Sequence, residues 1–265
     1  MVTLIRAALR PAPGAGRIAL ALRLGVLCHT LFAAGLLAMF NGLSESPGTV
    51  PWPMAALVNG ALIAQFPLAH SLFLTGSGGL LLAQLFPGPY GQTLATTTYA
   101  NTATAQLLVL FALWTPSGVV WWQVEGVALW MVSADYATSW HILLKASFDA
   151  GAEMQSGALG WMSLLVRTRP MFPDMPTLGL LRVSRQPIYV AFAMMLGTPP
   201  VWTPDQLVLA VSFSQPMVFC PAPEKTPFCR PHGARFNLYC TKVPNMLPHS
   251  PAAKDRPDAQ LPDDL

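Results

Sequence analysis

The chain is predicted to be all-α, a polytopic integral-membrane helical bundle of about five to six spans including a C-terminal helical hairpin. Three observations carry that expectation. Of its 265 residues, 53% are hydrophobic and 10% charged. An average soluble domain is about 25% charged, so this chain lacks the polar surface to cover itself in water, and its mean hydropathy is positive. Several apolar runs approach the roughly 20 residues that cross a bilayer as a helix. Finally, lysine and arginine are segregated: the connectors Asn41–Pro53 and Thr115–Glu125 hold none, while the N-terminus, the Asp149–Gln186 region and the tail hold nearly all of them. By the positive-inside rule both termini are cytoplasmic.

Residues 1–17 form a cytoplasmic N-terminus bearing Arg6, Arg10 and Arg17. The run Ile18–Phe40 is longer than the roughly 7–15 apolar residues of a secretory signal, and it is read as an uncleaved first span. The Pro/Gly-rich connector Asn41–Pro53 ends it. A second span, Met54–Leu74, is interrupted by Pro67 and contains His70. An uncharged loop follows, Thr75–Thr97, whose Leu80–Phe86 section suits the interface. Span three runs from Thr98 to Trp114, and Trp114, Trp121 and Trp122 suit an aromatic belt. Span four, Gly126–Phe148, carries Asp135, His141 and Lys145; all three are read as structural.

From Asp149 to Gln186 the chain turns polar and basic, with one helix expected near Gln155–Val166. The apolar segment Pro187–Phe219 is split by Thr-Pro-Pro and Trp-Thr-Pro-Asp. Each half is short, so a tight hairpin fits better than one helix. Thr203, Pro204 and Asp205 read as a helix start: a capping hydroxyl, a proline and an acid. The membrane domain is thus 18–248, with its polar-mouthed segment at 149–248, and 249–265 is a disordered tail.

The net charge of +3 is no nucleic-acid signal, and the basic residues serve as topology determinants. Cys28, Cys220, Cys229 and Cys240 form no CxxC pair and are read as free thiols; with His232 the last three do not match zinc spacing. No metal site is expected, and no inverted repeat of a transporter is present.

A basic loop leading into an apolar hairpin, followed by an aromatic and charged tail, makes a site with a polar mouth toward the cytosol and a depth toward lipid. Such a site suits the meeting of a water-soluble cosubstrate with a hydrophobic acceptor. The stretch Arg185-Gln186-Pro187-Ile188-Tyr189 resembles the RHPxY or RQPxY signature of the isoprenylcysteine carboxyl methyltransferase superfamily, which includes methanethiol S-methyltransferases and NnrU-type bacterial membrane proteins. The resemblance continues through Trp202, then through Gly233–Tyr239, Val243-Pro244 and Leu247-Pro248. Ala69-His70-Ser71 and Thr98-Tyr99 also resemble family positions.

The resemblance implies a methyltransferase using S-adenosylmethionine as cosubstrate, with a small thiol or lipid-like hydrophobic acceptor and the bilayer as partners. Under it, Arg185 or Arg182 could anchor the cosubstrate carboxylate, and Glu224 could accept from its ribose hydroxyls. Tyr189, Phe236 and Tyr239 could wall its adenine and sulfonium, while Gln186 and Pro187 shape the hairpin entrance. His70 is a further candidate, being an ionisable group within a span. No catalytic residue is assigned, since aligning an activated donor and excluding water suffices for methyl transfer. Two departures stand out: one acid, Glu224, remains among the prolines Pro221, Pro223 and Pro227 where the family carries a charged cluster, and the loop after His70 lacks basic residues. They leave open a second reading, a non-catalytic NnrU-like accessory protein that binds a partner or a small hydrophobic ligand.

Overall fold

The computed structural model describes residues 2–42, 50–172, 174–218 and 229–246. In chain order these form α1 (Val2–Ala8), α2 (Ala15–Gly42), α3 (Trp52–Phe73), α4 (Gly76–Gln84), α5 (Pro89–Ala112), β1 (Trp122–Gln123), α6 (Gly126–Asp149), α7 (Ala152–Gln155), α8 (Ala158–Val166), a 3₁₀ turn (Gly179–Arg182), α9 (Pro187–Gly197), β2 (Val201–Trp202), α10 (Pro204–Val218) and α11 (Cys229–Lys242). The fold is all-α except for a two-residue antiparallel ladder, Trp122 opposite Trp202 and Gln123 opposite Val201.

Two helices are long and apolar enough to cross a membrane, over Ala15–Met39 and Trp52–Phe73, and only 22% and 11% of their most apolar windows are buried. The central helix of a soluble protein hides such a run from water. Here Val26, Phe32, Leu37, Leu57 and Leu68 face outward, which suits lipid. Helices α5 and α6, with 24 residues each, reach about 36 Å at 1.5 Å per residue. Both are more polar.

Two expectations need correcting. The stretch expected as a loop, Thr75–Thr97, is mostly helical. Thr75 caps α4 by accepting from the Gly78 amide at 3.0 Å, and α5 starts at Pro89, a first-turn proline that needs no amide partner. Nor does Pro67 break the second span: α3 runs through it, with the proline exposed on the outer face.

The core forms where α8 wedges against α2 and α5. Ala21, Leu94, Leu164 and Leu165 pack there with Trp161 and Phe86. Two glycines permit the wedge. Gly157 has φ +71°, and a Cβ there would overlap the Ala100 side chain; a Cβ on Gly160 would come within 2.5 Å of Thr97 Oγ1. In that space Thr97 donates to the Gly157 carbonyl at 2.6 Å and accepts from the Trp161 amide at 2.8 Å. At the other end of α8, the buried Arg17 guanidinium donates to the Leu164 and Leu165 carbonyls. It therefore caps a helix terminus in addition to any topological role.

The predicted hairpin is present as α9 and α10. Thr203 caps α10, accepting from the Gln206 amide at 3.0 Å. Asp205 reaches across to the connector after α5, where it accepts from Trp114 Nε1 at 3.1 Å and the Ser117 amide at 2.9 Å. Trp114 is accordingly no belt residue: it is buried with Leu62, Leu110 and Leu209, its N–H satisfied by the acid. Trp121 and Trp122 are exposed. The ladder and stacked Trp122 and Trp202 rings join this connector to the hairpin apex.

Candidate functional site

The hairpin entrance is assembled from three directions. Helix α6 ends in Asp149, which pairs with Lys145 one turn back and accepts the Leu180 amide at 2.8 Å. That contact seats the 3₁₀ turn, and Gly179 (φ +62°) makes it possible, since any Cβ there would overlap the Asp149 carboxylate. The turn in turn presents the Leu181 carbonyl, to which Tyr239 of α11 donates at 2.7 Å. Four residues on, the Arg185 amide donates to the Pro244 carbonyl at 3.0 Å, and Ser184 Oγ donates to the Asn245 carbonyl at 3.3 Å. The two motifs, almost sixty residues apart in sequence, meet edge to edge.

Of the residues expected at the site, Arg185 is half-buried, and its Nε–H is buried without an acceptor. Arg182 ends the 3₁₀ turn and is exposed, so the inward-placed arginine of the two is Arg185. Gln186 precedes α9; its amide bonds Ser184 Oγ at 3.1 Å, and its carbonyl accepts from Val190 at 3.1 Å. Pro187 is the buried first residue of α9. Phe236 is buried on α11, one turn before Tyr239. Burial pushes the Tyr239 phenol up to about 12, against the pull of the Arg185 guanidinium nearby. Glu224 lies outside the described residues, as do Cys220, Leu247, Pro248 and the expected tail.

Two residues absent from the sequence-based set carry unmatched atoms, Asn245 at the junction and Arg235 on α11. Arg235, on α11, donates to Asp174 at 2.7 Å while its Nε–H stays buried without an acceptor. Asn245 Oδ1 is buried without a donor. Both lie inside the segments that carried the resemblance, but nothing in their spacing marked them out. Buried polar groups are rarely left unmatched, and here the Arg185 donor and the Asn245 acceptor are, both at the same junction, with the Arg235 donor on α11.

Tyr189 is exposed. It sits on α9 within electrostatic reach of Tyr99 on α5. The Tyr99 hydroxyl lies 2.9 and 2.7 Å from the two ring nitrogens of His70 on α3, and the His70 ring stacks on Phe66 at 5.2 Å between centroids. Tyr99, His70 and Phe66 thus form one aromatic group between α3 and α5. Among the described residues no group of three metal-binding side chains forms, and Cys28 and Cys240 are free thiols.

The chain is thus an almost entirely helical protein with two apolar helices of membrane-crossing length and a junction of arginine and tyrosine at the hairpin entrance. The chain is similar to curated methyltransferases. It is 25% identical over 217 residues to a methanethiol S-methyltransferase of Pseudomonas deceptionensis, covering 80% of this chain and 81% of the relative. A protein of the same name from another Pseudomonas is 27% identical over 191 residues, 70% and 71% of the two chains. Methanethiol S-methyltransferase 2 of Bradyrhizobium diazoefficiens is 22% identical over 208 residues, 78% and 79%. These similarities are consistent with the resemblance to the isoprenylcysteine carboxyl methyltransferase-like membrane proteins. No family model matches the chain, and no solved structure matches it.

Proposed function

We propose that the chain is an integral-membrane methyltransferase that uses S-adenosylmethionine to methylate a small thiol or a lipid-like hydrophobic acceptor. The observation that carries this reading is the junction of Arg185 with Pro244, which joins the two segments by which the sequence resembles such enzymes. The relatives' names supply the reaction class.

The unmatched groups at the junction fit this cosubstrate. The Nε–H groups of Arg185 and Arg235 suit a carboxylate, in charge-assisted hydrogen bonds, and Asn245 Oδ1 suits an ammonium or a ribose hydroxyl. When bound, S-adenosylmethionine supplies a methyl group already activated on a sulfonium. Phe236, Tyr189 and Tyr239 offer aromatic faces that favour a cation and exclude water. Pro187 fixes the first turn of α9 and so the direction in which Tyr189 is presented. Glu224 remains the sequence's candidate for the ribose hydroxyls.

The same reading sets the chain in a bacterial inner membrane with both termini cytoplasmic. α2, α3, α5 and α6 then span it, and the short α9–α10 hairpin enters and returns, giving five to six spans by the count of its arms.

The test is calorimetric titration of the detergent-purified protein with S-adenosylmethionine, beside transfer of a labelled methyl group to methanethiol. Saturable binding is expected, weakened about ten- to a hundredfold in Arg185→Ala, since hydrogen bonds to charged groups contribute about 1.5–3 kcal/mol. A folded protein that binds none of it is instead the non-catalytic accessory protein that the proline-rich stretch Pro221–Pro227 favours.

A further inference from the structure

Away from the hairpin entrance, the fold gathers two pairs of arginines that are far apart in sequence. Arg6 and Arg10 precede α2, Arg167 and Arg169 follow α8, and all four are exposed. Arg17 brings the pairs together. Its guanidinium donates to the Ala12 and Pro13 carbonyls on one side and to the Leu164 and Leu165 carbonyls on the other. Helix α1 itself packs on α8, with Ala8 against the core. Arg10 thus stands just before one set of carbonyls, and Arg167 just after the other.

Each pair is interleaved with apolar side chains that face outward. Ile5 and Leu9 lie beside Arg6 and Arg10 in the chain, and Met171 and Phe172 follow Arg169; Leu9, Met171 and Phe172 are 78%, 83% and 61% exposed. Arginine alternating with exposed apolar residues is the composition of segments that lie in a membrane surface. No acid balances these charges. Residues 1–44 and 154–173 contain no Asp or Glu, and none of the four arginines is paired with a carboxylate among the described residues. Arg167 also ends α8 in left-handed backbone, φ +59°, as the one non-glycine residue with positive φ among the described residues. Glycine usually fills such a position, and the exposed arginine side chain gives α8 no packing in return.

Resting on the membrane reading of the chain, we propose that this face binds anionic phospholipid. Arg6, Arg10, Arg167 and Arg169 hold the lipid phosphates, and Leu9, Met171 and Phe172 insert between the neighbouring acyl chains. Arginine suits the role because its planar fork donates paired bonds to a phosphate. The combination selects lipid over a soluble anion, since a free phosphate has no use for the apolar side chains. It also selects against a zwitterionic lipid, whose phosphate is offset by its own ammonium. Arg17, spent on backbone carbonyls, is the joint between the two halves of the surface and touches no lipid.

The experiment is native mass spectrometry of the full-length, detergent-purified protein given equal amounts of phosphatidylglycerol and phosphatidylcholine. Phosphatidylglycerol adducts should dominate, by about fivefold for each arginine that reaches the headgroup level. That preference should fall about fivefold or more in Arg6→Gln/Arg10→Gln and in Arg167→Gln/Arg169→Gln. It should persist in Arg182→Gln/Lys242→Gln, which removes the same charge elsewhere. Met171→Ser/Phe172→Ser should weaken phosphatidylglycerol binding, and glycerol phosphate, the headgroup without its chains, should not compete. The parent protein supplies a check that needs no variant: raising ammonium acetate from about 0.1 M to about 1 M should erase most of the preference, as the screening length falls from about 10 Å to about 3 Å. No preference in the parent, a preference indifferent to salt, displacement by glycerol phosphate, or an equal loss in the Arg182/Lys242 variant overturns the proposal. Recovery of the parent in the soluble fraction without detergent overturns the membrane reading instead, and this inference falls with it.

Discussion

Tyr239 ties the tail helix to the 3₁₀ turn through one hydrogen bond, and its ionisation reports on that joint. Its folded value is raised to about 12 from about 10 in an unfolded chain. Below pH 10 both states hold the proton, and the contact is intact. Between roughly pH 10 and 12 the unfolded chain releases the proton while the folded one retains it, so stability falls as pH rises through that window. An absorbance titration should therefore show one phenolate appearing near pH 12, absent in Tyr239→Phe. A Tyr239 that titrates with the exposed tyrosines contradicts the burial that raises it. At this scale the sequence was legible in part. Arg185, Pro187, Phe236 and Tyr239 could be singled out because the motifs name them. Arg235 and Asn245 could not, because their importance lies in buried, unmatched atoms, and a sequence does not state burial. The choice between Arg182 and Arg185 likewise waited for the turn geometry that leaves Arg182 in solvent.

Among the elements, α8 is the most demanding. It is nine residues long, too short to be stable alone, and it persists because α2 and α5 enclose it. Three features hold it: Gly157, Gly160 and the Arg17 cap. Gly157→Ala adds a Cβ in a left-handed conformation and against Ala100, two penalties at once. It should cost about 2–4 kcal/mol and lower the melting temperature in detergent by several degrees; an unchanged melting curve would mean that α8 does not seat where described. Arg17→Met should also destabilise, by about 1–3 kcal/mol for carbonyls left without donors, with cosubstrate affinity little changed because α8 lies apart from the Arg185 junction. The hairpin and the helix near Gln155–Val166 were readable from proline placement and apolar periodicity. The start of α5 was not. A Gly- and Pro-rich run normally marks a loop, yet Pro89 begins a helix, and Gly91 lets that helix approach α4 so closely that a Cβ would overlap the Ala83 carbonyl.

For the molecule as a whole, the membrane class was written in composition, and the outward apolar faces of α2 and α3 agree with it. The polar stripe of α5 sets it apart from α2 and α3. Gln65 and Gln106 bond reciprocally across α3 and α5 at 2.9–3.0 Å, and Asn59 both donates to and accepts from Thr115. Polar groups that satisfy one another between helices can sit at depth, though each lowers the apparent hydropathy of its helix. The proposed orientation has a direct check. Alkaline phosphatase, active only outside the cytoplasm, should be inactive when fused to either terminus and active when inserted at Gly118; activity at a terminus would reverse the layout.

The small ladder at the hairpin apex carries a mechanical consequence. At that end α9 and α10 are riveted to the α5–α6 connector by Trp121, Trp122 and Val124 and by the grip of Asp205 on Trp114 and Ser117. At the opposite end the hairpin meets the tail through a pair of bonds, from Arg185 and Ser184. With two bonds at one end against the ladder and the Asp205 grip at the other, the amides of residues 184–190 should exchange with solvent before those of residues 201–207.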